Sequence, residues 1–96
     1  MNFDDILKEI KELHDKKSSD YGSNQDSLAN IRASQEFGIA PWIGAVLRAN
    51  DKMTRIKSFV VKGSLSNESL EDSLIDLCVY FPIALLLYRE LKNCGK

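Results

Sequence analysis

Apolar residues recur every three or four positions in two stretches of the chain, residues 2–17 and the segment from Pro41 to Gly63. This spacing predicts two amphipathic α-helices, because residues three and four apart lie on one side of a helix. Proline suits the first turn of a helix, and glycine suits the left-handed residue that ends one. We therefore expect the second of these helices to begin at Pro41 and to end at Gly63.

The region between the two patterns is expected to hold a loop and a short helix. Residues 18–25 are almost all polar, and the segment Asp20-Tyr21-Gly22 has the composition of a turn. Asp26 or Ser27 can cap the short helix, and Gly38 can end it. The apolar positions of that helix are Leu28, Ile31 and Phe37.

The last pattern begins at Asn67, which can cap a helix, and continues to about Asn93. It opens with four carboxylates and then becomes apolar on nearly every side, from Leu77 to Tyr88. A helix without a polar face must be enclosed by other helices along most of its length. The four carboxylates are those of Glu68, Glu71, Asp72 and Asp76.

No stretch alternates apolar and polar residues with the period of a strand, so the predicted fold is all-α. It is a bundle of three long helices and one short helix. The 96 residues predict a single domain, 1–96. Because so short a chain builds only a small core, we expect a homo-oligomer, a dimer or a tetramer, whose copies share apolar surface.

The charge and the cysteine content indicate which partners and which cellular compartment to expect. The net charge of −1 gives no general attraction to nucleic acid or to anionic lipid. The apolar run from Leu77 to Tyr88 is too short for a membrane span and contains Pro82. No secretory signal opens the sequence, and Cys78 and Cys94 lie too far apart on one helix to pair. We therefore expect a reduced, cytoplasmic setting without a membrane or nucleic-acid partner.

Asp76 is the acidic residue that the start of the last helix does not explain. Carboxylates in the first turn are stabilised by the helix dipole, which accounts for the three earlier acids but fades before Asp76. An unpaired carboxylate in a protein interior is strongly destabilising. Asp76 therefore requires a cation or access to solvent.

Two sources of that cation are open. One is a basic stripe on the preceding helix, at positions i, i+4 and i+7. The other is a divalent ion, Mg²⁺, held by oxygen ligands from Asp72, Asp76 and a third acid such as Asp51. Spacing alone favours the salt bridge and leaves the ion open. The members of the basic stripe are Arg48, Lys52 and Arg55.

Four groups of residues carry a family resemblance. They are His14 with Lys17; Asp20-Tyr21-Gly22; Arg48-x-x-Asp51-Lys52-x-x-Arg55; and Glu68-x-x-x-Asp72-x-x-x-Asp76-x-x-x-Tyr80. Together they resemble the nucleotide-modification-associated domain 1 family of small phage and bacterial proteins, in that family's order and over about two thirds of the chain. That family is in turn similar to the all-α, MazG-like nucleoside triphosphate pyrophosphohydrolases and dimeric dUTPases.

The resemblance implies a MazG-like bundle that binds a nucleotide through Mg²⁺ and hydrolyses a (deoxy)nucleoside triphosphate to the monophosphate and pyrophosphate. The metal ligands that it implies are Asp51, Asp72 and Asp76. The phosphate-binding residues are Arg48, Lys52, Arg55 and Lys17. The residues placed against the base and sugar are Asp20, Tyr21 and His14.

The chain departs from the usual pattern of these enzymes, which is Glu-x-x-Glu on one helix and Glu-x-x-Asp on the next. Asp51 stands alone where the first pair is expected, and Asp72 and Asp76 are four residues apart instead of three. Fewer acids are left to hold two ions and to activate a water molecule. Two alternatives therefore stay open: a nucleotide-binding or sequestering protein without catalysis, and a structural helical module that binds a partner.

His14 and the turn also have simpler interpretations. His14 lies on the apolar stripe of the first helix, where a hydrogen-bonded histidine of the bundle is commoner than a catalyst. The segment Asp20-Tyr21-Gly22 can equally be a plain turn. The assignment of these residues to a base or sugar site therefore depends on the resemblance.

Overall fold

A computed structural model describes residues 1–20, 31, 33–64 and 69–94, with the backbone alone for 17–20 and 94. Three α-helices, one 3₁₀-helix and the α-helical residue Ile31 make up the helical part of these described residues, which contain no strand. The all-α prediction is confirmed. Of the predicted short helix, Ile31 is α-helical and residues 33–37 form a 3₁₀-helix, while residues 26–30 and 32 lie outside the described residues. The elements are α1 (Phe3–Asp20), η1 (Ala33–Phe37), α2 (Pro41–Lys62) and α3 (Leu70–Cys94).

The ends of α2 are those that the sequence predicts. Pro41 occupies the start of the helix, and Gly63 follows its last residue with φ 78°, the left-handed conformation. The Gly63 amide donates a hydrogen bond to the Phe59 carbonyl at 2.7 Å. Glycine takes this conformation without a steric penalty, so the residue that ends the helix is set locally.

The start of α3 differs from the prediction. The helix begins at Leu70, and the Ser69 hydroxyl accepts a hydrogen bond from the Asp72 amide at 3.0 Å. This is a side-chain cap at the third helical residue, which satisfies an amide that has no partner within the helix. Ser69 is thus the cap, and the predicted cap Asn67 lies outside the described residues.

Helix α1 begins with a reciprocal cap and is longer than predicted. The Asp5 amide donates to Asn2 Oδ1 at 2.9 Å, and the Asn2 amide donates to Asp5 Oδ2 at 3.0 Å. The helix then continues to Asp20, so residues 18–20 are helical and not part of the predicted loop. No glycine or proline occurs before Gly22, and a serine pair alone does not end a helix.

The core lies between α2 and α3, which pack as an antiparallel pair. Trp42 and Tyr88 meet edge to face with ring centroids 5.7 Å apart, and Ala45 and Ala84 share one buried cluster. Partners on the two helices therefore have residue numbers that sum to about 130, which defines the register. The cluster comprises Ile31, Ala45, Ala84 and Leu87, with Trp42, Tyr80 and Ile83 packed against it.

Element η1 packs against the first turn of α2 at Gly44. A Cβ atom at that position would lie 2.9 Å from Ser34 Oγ and 3.2 Å from the Ile31 carbonyl oxygen. Ser34 is itself held, because its hydroxyl donates to the Ile39 carbonyl at 3.1 Å. The absence of a side chain at Gly44 thus permits the close approach that brings Ile31 into the core.

Helix α3 is only partly enclosed by its own chain. Helix α2 covers one side of it, and α1 contacts it over a short stretch. The expected enclosure is therefore incomplete within one copy, and large apolar side chains of α3 stay exposed. These are Leu74, Phe81, Leu85, Leu86, Tyr88 and Leu91. Among the described residues, no helix is long and apolar enough to cross a membrane.

Candidate functional site

The centre of the candidate site is an ion pair between α2 and α3. Lys52 Nζ lies 2.9 Å from Asp76 Oδ2, and the two side chains are only 18% and 19% exposed. A carboxylate withdrawn this far from water needs a cation, and α2 supplies one. Of the two cation sources that spacing leaves open, the basic stripe of the chain itself thus pairs with Asp76.

The position of Lys52 follows from the helical repeat of α2. Ala45 and Ala49 are both buried, and Lys52 comes next along the same side of the helix. A lysine suits such a position because its long apolar stem can lie between helices while its ammonium group reaches a polar partner. The register that aligns Ala45 with Ala84 also aligns Lys52 with Asp76, so helix packing itself forms the pair.

A second ion pair, on α1, shows how exposure to solvent affects the contribution of an ion pair to stability. Lys11 Nζ lies 2.6 Å from Asp15 Oδ2, but these side chains are 76% and 58% exposed. The hydrogen bond between them raises the pKa of Lys11 and lowers the pKa of Asp15. Water and salt screen such a pair, so it contributes little to stability. The Lys52–Asp76 pair is longer, at 2.9 Å, but it is shielded from water.

Asp72 has a structural explanation of its own. It is exposed, lies in the first turn of α3, and its amide is capped by Ser69. A carboxylate there is stabilised by the helix dipole. Its carboxylate is also free of the α2–α3 interface and lies one turn before Asp76, on the same side of α3. Two carboxylates are thus stacked where α3 begins, one paired and one facing solvent.

The other two members of the basic stripe flank Lys52 on α2. Arg48 is exposed, whereas Arg55 is half-buried and already engaged in an interaction. The register places Arg55 level with Ser73, because their numbers sum to 128, as do those of Lys52 and Asp76. The stripe therefore extends from solvent at Arg48 to the region beside the start of α3.

Asp51 does not converge with the two aspartates of α3. It is exposed and precedes Lys52 by one residue, so its side chain leaves α2 about 100° away from that of Lys52. Across the parts of the chain that the structure describes, no three Asp, Glu, His or Cys side chains are grouped so that they could hold a metal ion. The Mg²⁺ site predicted at Asp51, Asp72 and Asp76 stays a prediction and has no preformed three-acid group among these residues.

The predicted base and sugar residues belong to α1 and to the segment after it. His14 is half-buried on α1. Lys17 and Asp20 lie in the last turns of the same helix, for which only the backbone is described. Tyr21 lies outside the described residues. The assignment of these four residues to phosphate, base or sugar contacts therefore stays a prediction.

Sequence reasoning missed Ser73, which is fully buried on α3. Its side chain has an interaction partner, as a buried hydroxyl requires. Its burial could have been predicted from helical spacing, because Ser73 comes four residues after Ser69 and four before Leu77, on the buried side of α3. A small residue there lets α2 approach, and its hydroxyl adds a polar group beside the Lys52–Asp76 pair.

Comparison with known proteins identified no relative of this chain. The sequence matched no family model and no curated protein, and the structure matched no solved structure. The resemblance to the nucleotide-modification-associated proteins therefore rests on the motif residues, of which Lys52 and Asp76 are brought into direct contact.

Proposed function

We propose that the protein binds a nucleotide through its phosphates at the face shared by α2 and α3, and that it hydrolyses a (deoxy)nucleoside triphosphate to the monophosphate and pyrophosphate. The observation that carries the proposal is the 2.9 Å contact between Lys52 and Asp76, which joins the motif of α2 to the motif of α3. The resemblance supplies the nucleotide, the Mg²⁺ ion and a place in phage or bacterial nucleotide metabolism.

The basic stripe provides the phosphate contacts. Arginine presents a planar fork of donors that matches phosphate oxygens, and lysine adds a compact charge. Arg48 is exposed and open to a ligand, and Lys52 lies one turn further along α2. A rise of 1.5 Å per residue separates these two residues by about 6 Å along the helix, so neighbouring phosphates of one chain can contact both.

The two stacked aspartates fit the needs of Mg²⁺. This ion keeps several waters and is commonly held by one or two carboxylates together with substrate phosphates, so a three-acid group is not required. Asp72 and Asp76 would hold it together with the substrate phosphates, and the ion would neutralise phosphate charge. Asp76 would then exchange Lys52 for the ion, which releases the Lys52 ammonium to the phosphates.

Residues of α1 complete the proposed site. Helix α1 contacts α3 and carries His14 and Lys17 one turn apart. Lys17 would close over the phosphates, while His14, Asp20 and Tyr21 would lie against the base and sugar. These roles come from the resemblance, and α1 is in contact with α3.

Calorimetric titration with a panel of canonical and modified (d)NTPs, with and without Mg²⁺, tests binding. We expect Lys52→Met to weaken binding in both conditions and Asp76→Asn to remove only the part that depends on Mg²⁺. Lys57→Met is the matched control, because this exposed lysine of α2 lies about 140° around the helix from Lys52 and should leave binding unchanged. Failure of every nucleotide to bind would refute the proposal.

Hydrolysis is tested separately by pyrophosphate release from the same panel. Release from the wild type that is lost with Asp76→Asn supports a pyrophosphohydrolase. Binding without release refutes the catalytic part and leaves a protein that binds or sequesters a nucleotide. The same samples serve both measurements, so the two parts of the proposal are judged under one set of conditions.

A second candidate function, a helical module that binds a partner, is favoured by a specific observation. The charge of Asp76 is already matched by Lys52, and Asp72 is accounted for by the start of α3. In this case Mg²⁺ would not change the melting temperature of the wild type or of the Asp72→Asn/Asp76→Asn variant. A rise in melting temperature with Mg²⁺ that the double variant loses would exclude it.

A further inference from the structure

Arg48 and Tyr80 lie on the same side of the α2–α3 pair as Lys52 and Asp76. Arg48 is one helical turn before Lys52 on α2, and Tyr80 is one turn after Asp76 on α3. Because the two helices are antiparallel, both turns lead in the same direction. The numbers of Arg48 and Tyr80 sum to 128, as those of Lys52 and Asp76 do, so Arg48 and Tyr80 lie level with each other.

The hydroxyl group of Tyr80 is open to solvent. Its ring is half-buried and packs against the core cluster. No buried side-chain nitrogen or oxygen of the described residues lacks a hydrogen-bond partner. Within this part of the chain no hydrogen bond engages the Tyr80 hydroxyl, so this group reaches water at the surface of the helix pair. Tyr80 thus has an apolar body that packing holds in place and a polar tip that is available to a ligand.

The Arg48 guanidinium is available in the same way. It is exposed, and it makes no ion pair in the described segments of the chain. The other members of the basic stripe differ, because Lys52 is paired with Asp76 and Arg55 is already engaged. Arginine carries only hydrogen-bond donors, and a phenol hydroxyl can donate as well. The position shared by Arg48 and Tyr80 therefore presents a positive charge and several donors to solvent.

We propose that Arg48 and the Tyr80 hydroxyl form a phosphate subsite that needs no metal ion, next to the acids Asp72 and Asp76. The inference deepens the proposed function and rests on it for the nucleotide. Tyr80 donates its hydroxyl hydrogen to one phosphate oxygen, and the Arg48 guanidinium donates to other oxygens of the same group. Tyr80 is thereby a binding residue as well as part of the core.

The separation of this subsite from the acids selects the class of ligand. Along the axis of α3, Tyr80 is about 6 Å from Asp76 and about 12 Å from Asp72. A single phosphate group is too small to reach from Tyr80 to Asp72, whereas a chain of two or three phosphates extends towards both acids. The arrangement therefore favours nucleoside diphosphates and triphosphates over monophosphates, and a monophosphate product is released readily.

Calorimetric titration with inorganic tripolyphosphate in EDTA tests the subsite without a base, a sugar or a metal ion. We expect Tyr80→Phe to weaken binding about tenfold, because it removes the hydroxyl and keeps the ring in the core. Arg48→Met should weaken binding at least as much. Tyr88→Phe is the matched control, since Tyr88 packs on Trp42 and lies about 80° around α3 from Tyr80, and it should leave binding unchanged.

Titration with a (d)NTP, with and without Mg²⁺, separates the subsite from the acids. Tyr80→Phe should weaken binding by the same factor in both conditions, whereas Asp76→Asn should act only with Mg²⁺. The corresponding monophosphate should bind more weakly than the triphosphate in both conditions. Equal affinity for the two would refute the proposed class of ligand.

The outcomes distinguish this inference from the proposed function. Failure of tripolyphosphate to bind overturns the subsite, and so does binding that Tyr80→Phe leaves unchanged. Tripolyphosphate binding that Tyr80→Phe and Arg48→Met both weaken supports the subsite, and if no (d)NTP binds, only the nucleotide function is refuted. A (d)NTP whose binding is weakened by Lys52→Met but not by Tyr80→Phe supports the proposed function and refutes the subsite.

Discussion

The Lys52–Asp76 pair gives the sharpest prediction of stability. We expect Lys52→Met and Asp76→Leu each to lower the free energy of unfolding by about 2–3 kcal/mol, because each removes one side of an ion pair in a largely dry position. Replacement of both should cost less than the sum of the two single changes, because the attraction between the two charges is then lost only once.

The magnitude follows from the geometry. At about 3 Å and an effective dielectric constant near 20, the attraction between the two charges is about 5 kcal/mol, and the loss of hydration of both groups offsets much of it. Loss of one partner of a fully buried pair costs about 3–5 kcal/mol. The 18% and 19% exposure of these side chains lets some water reach the charge that is left, which lowers the cost below that range.

Urea unfolding followed by circular dichroism measures these values, with all four proteins of the double-mutant cycle at one protomer concentration. A loss of 2 kcal/mol corresponds to a fall of roughly 10 °C in melting temperature for a domain of this size. The exposed pair Lys11–Asp15 is the control, and its cycle should show a much smaller coupling despite its shorter distance of 2.6 Å. Equal coupling in both cycles would refute the argument that burial, and not distance, makes the Lys52–Asp76 pair the more stabilising of the two.

Three further predictions concern single positions. Ser69→Ala should lower stability by about 1 kcal/mol, as measured by urea unfolding, because it removes the cap on the Asp72 amide. Gly44→Ala should lower stability by about 1 kcal/mol although alanine is the better helix former, since its Cβ would meet Ser34 Oγ and the Ile31 carbonyl; Asn50→Ala, exposed on the same helix, should be neutral or stabilising. Asp15→Asn should cause a small loss of helicity at neutral pH that vanishes as pH falls through the lowered pKa of Asp15, because protonation removes the same ion pair.

The helices were predictable where a local signal defines them. Pro41 and Gly63 set the ends of α2 through backbone conformation alone, and the structure has the helix between them. The start of α3 was placed too early, because Asn67 and Ser69 are both good caps and sequence does not rank them. The end of α1 was also missed, since polar residues continue a helix as readily as they form a loop.

The candidate site was predictable in its residues but not in its contacts. The position of Asp76 in an apolar helix was enough to require a cation, and the i, i+4, i+7 spacing was enough to identify a basic stripe. Which lysine or arginine meets Asp76 depends on how α3 is displaced along α2. That displacement follows from packing at Ala45 and Ala84, which no local pattern encodes.

The sequence by itself determined that this chain forms amphipathic helices, that one helix is too apolar to stand alone, and that Asp76 needs a positive partner. Each of these follows from residue type and a spacing of three or four. Only the tertiary structure decided that Lys52 is a partner of Asp76, that Ser73 is buried, and that large apolar side chains of α3 stay exposed within one copy. These depend on the register and rotation of whole helices, which are set by many contacts between residues far apart in the chain.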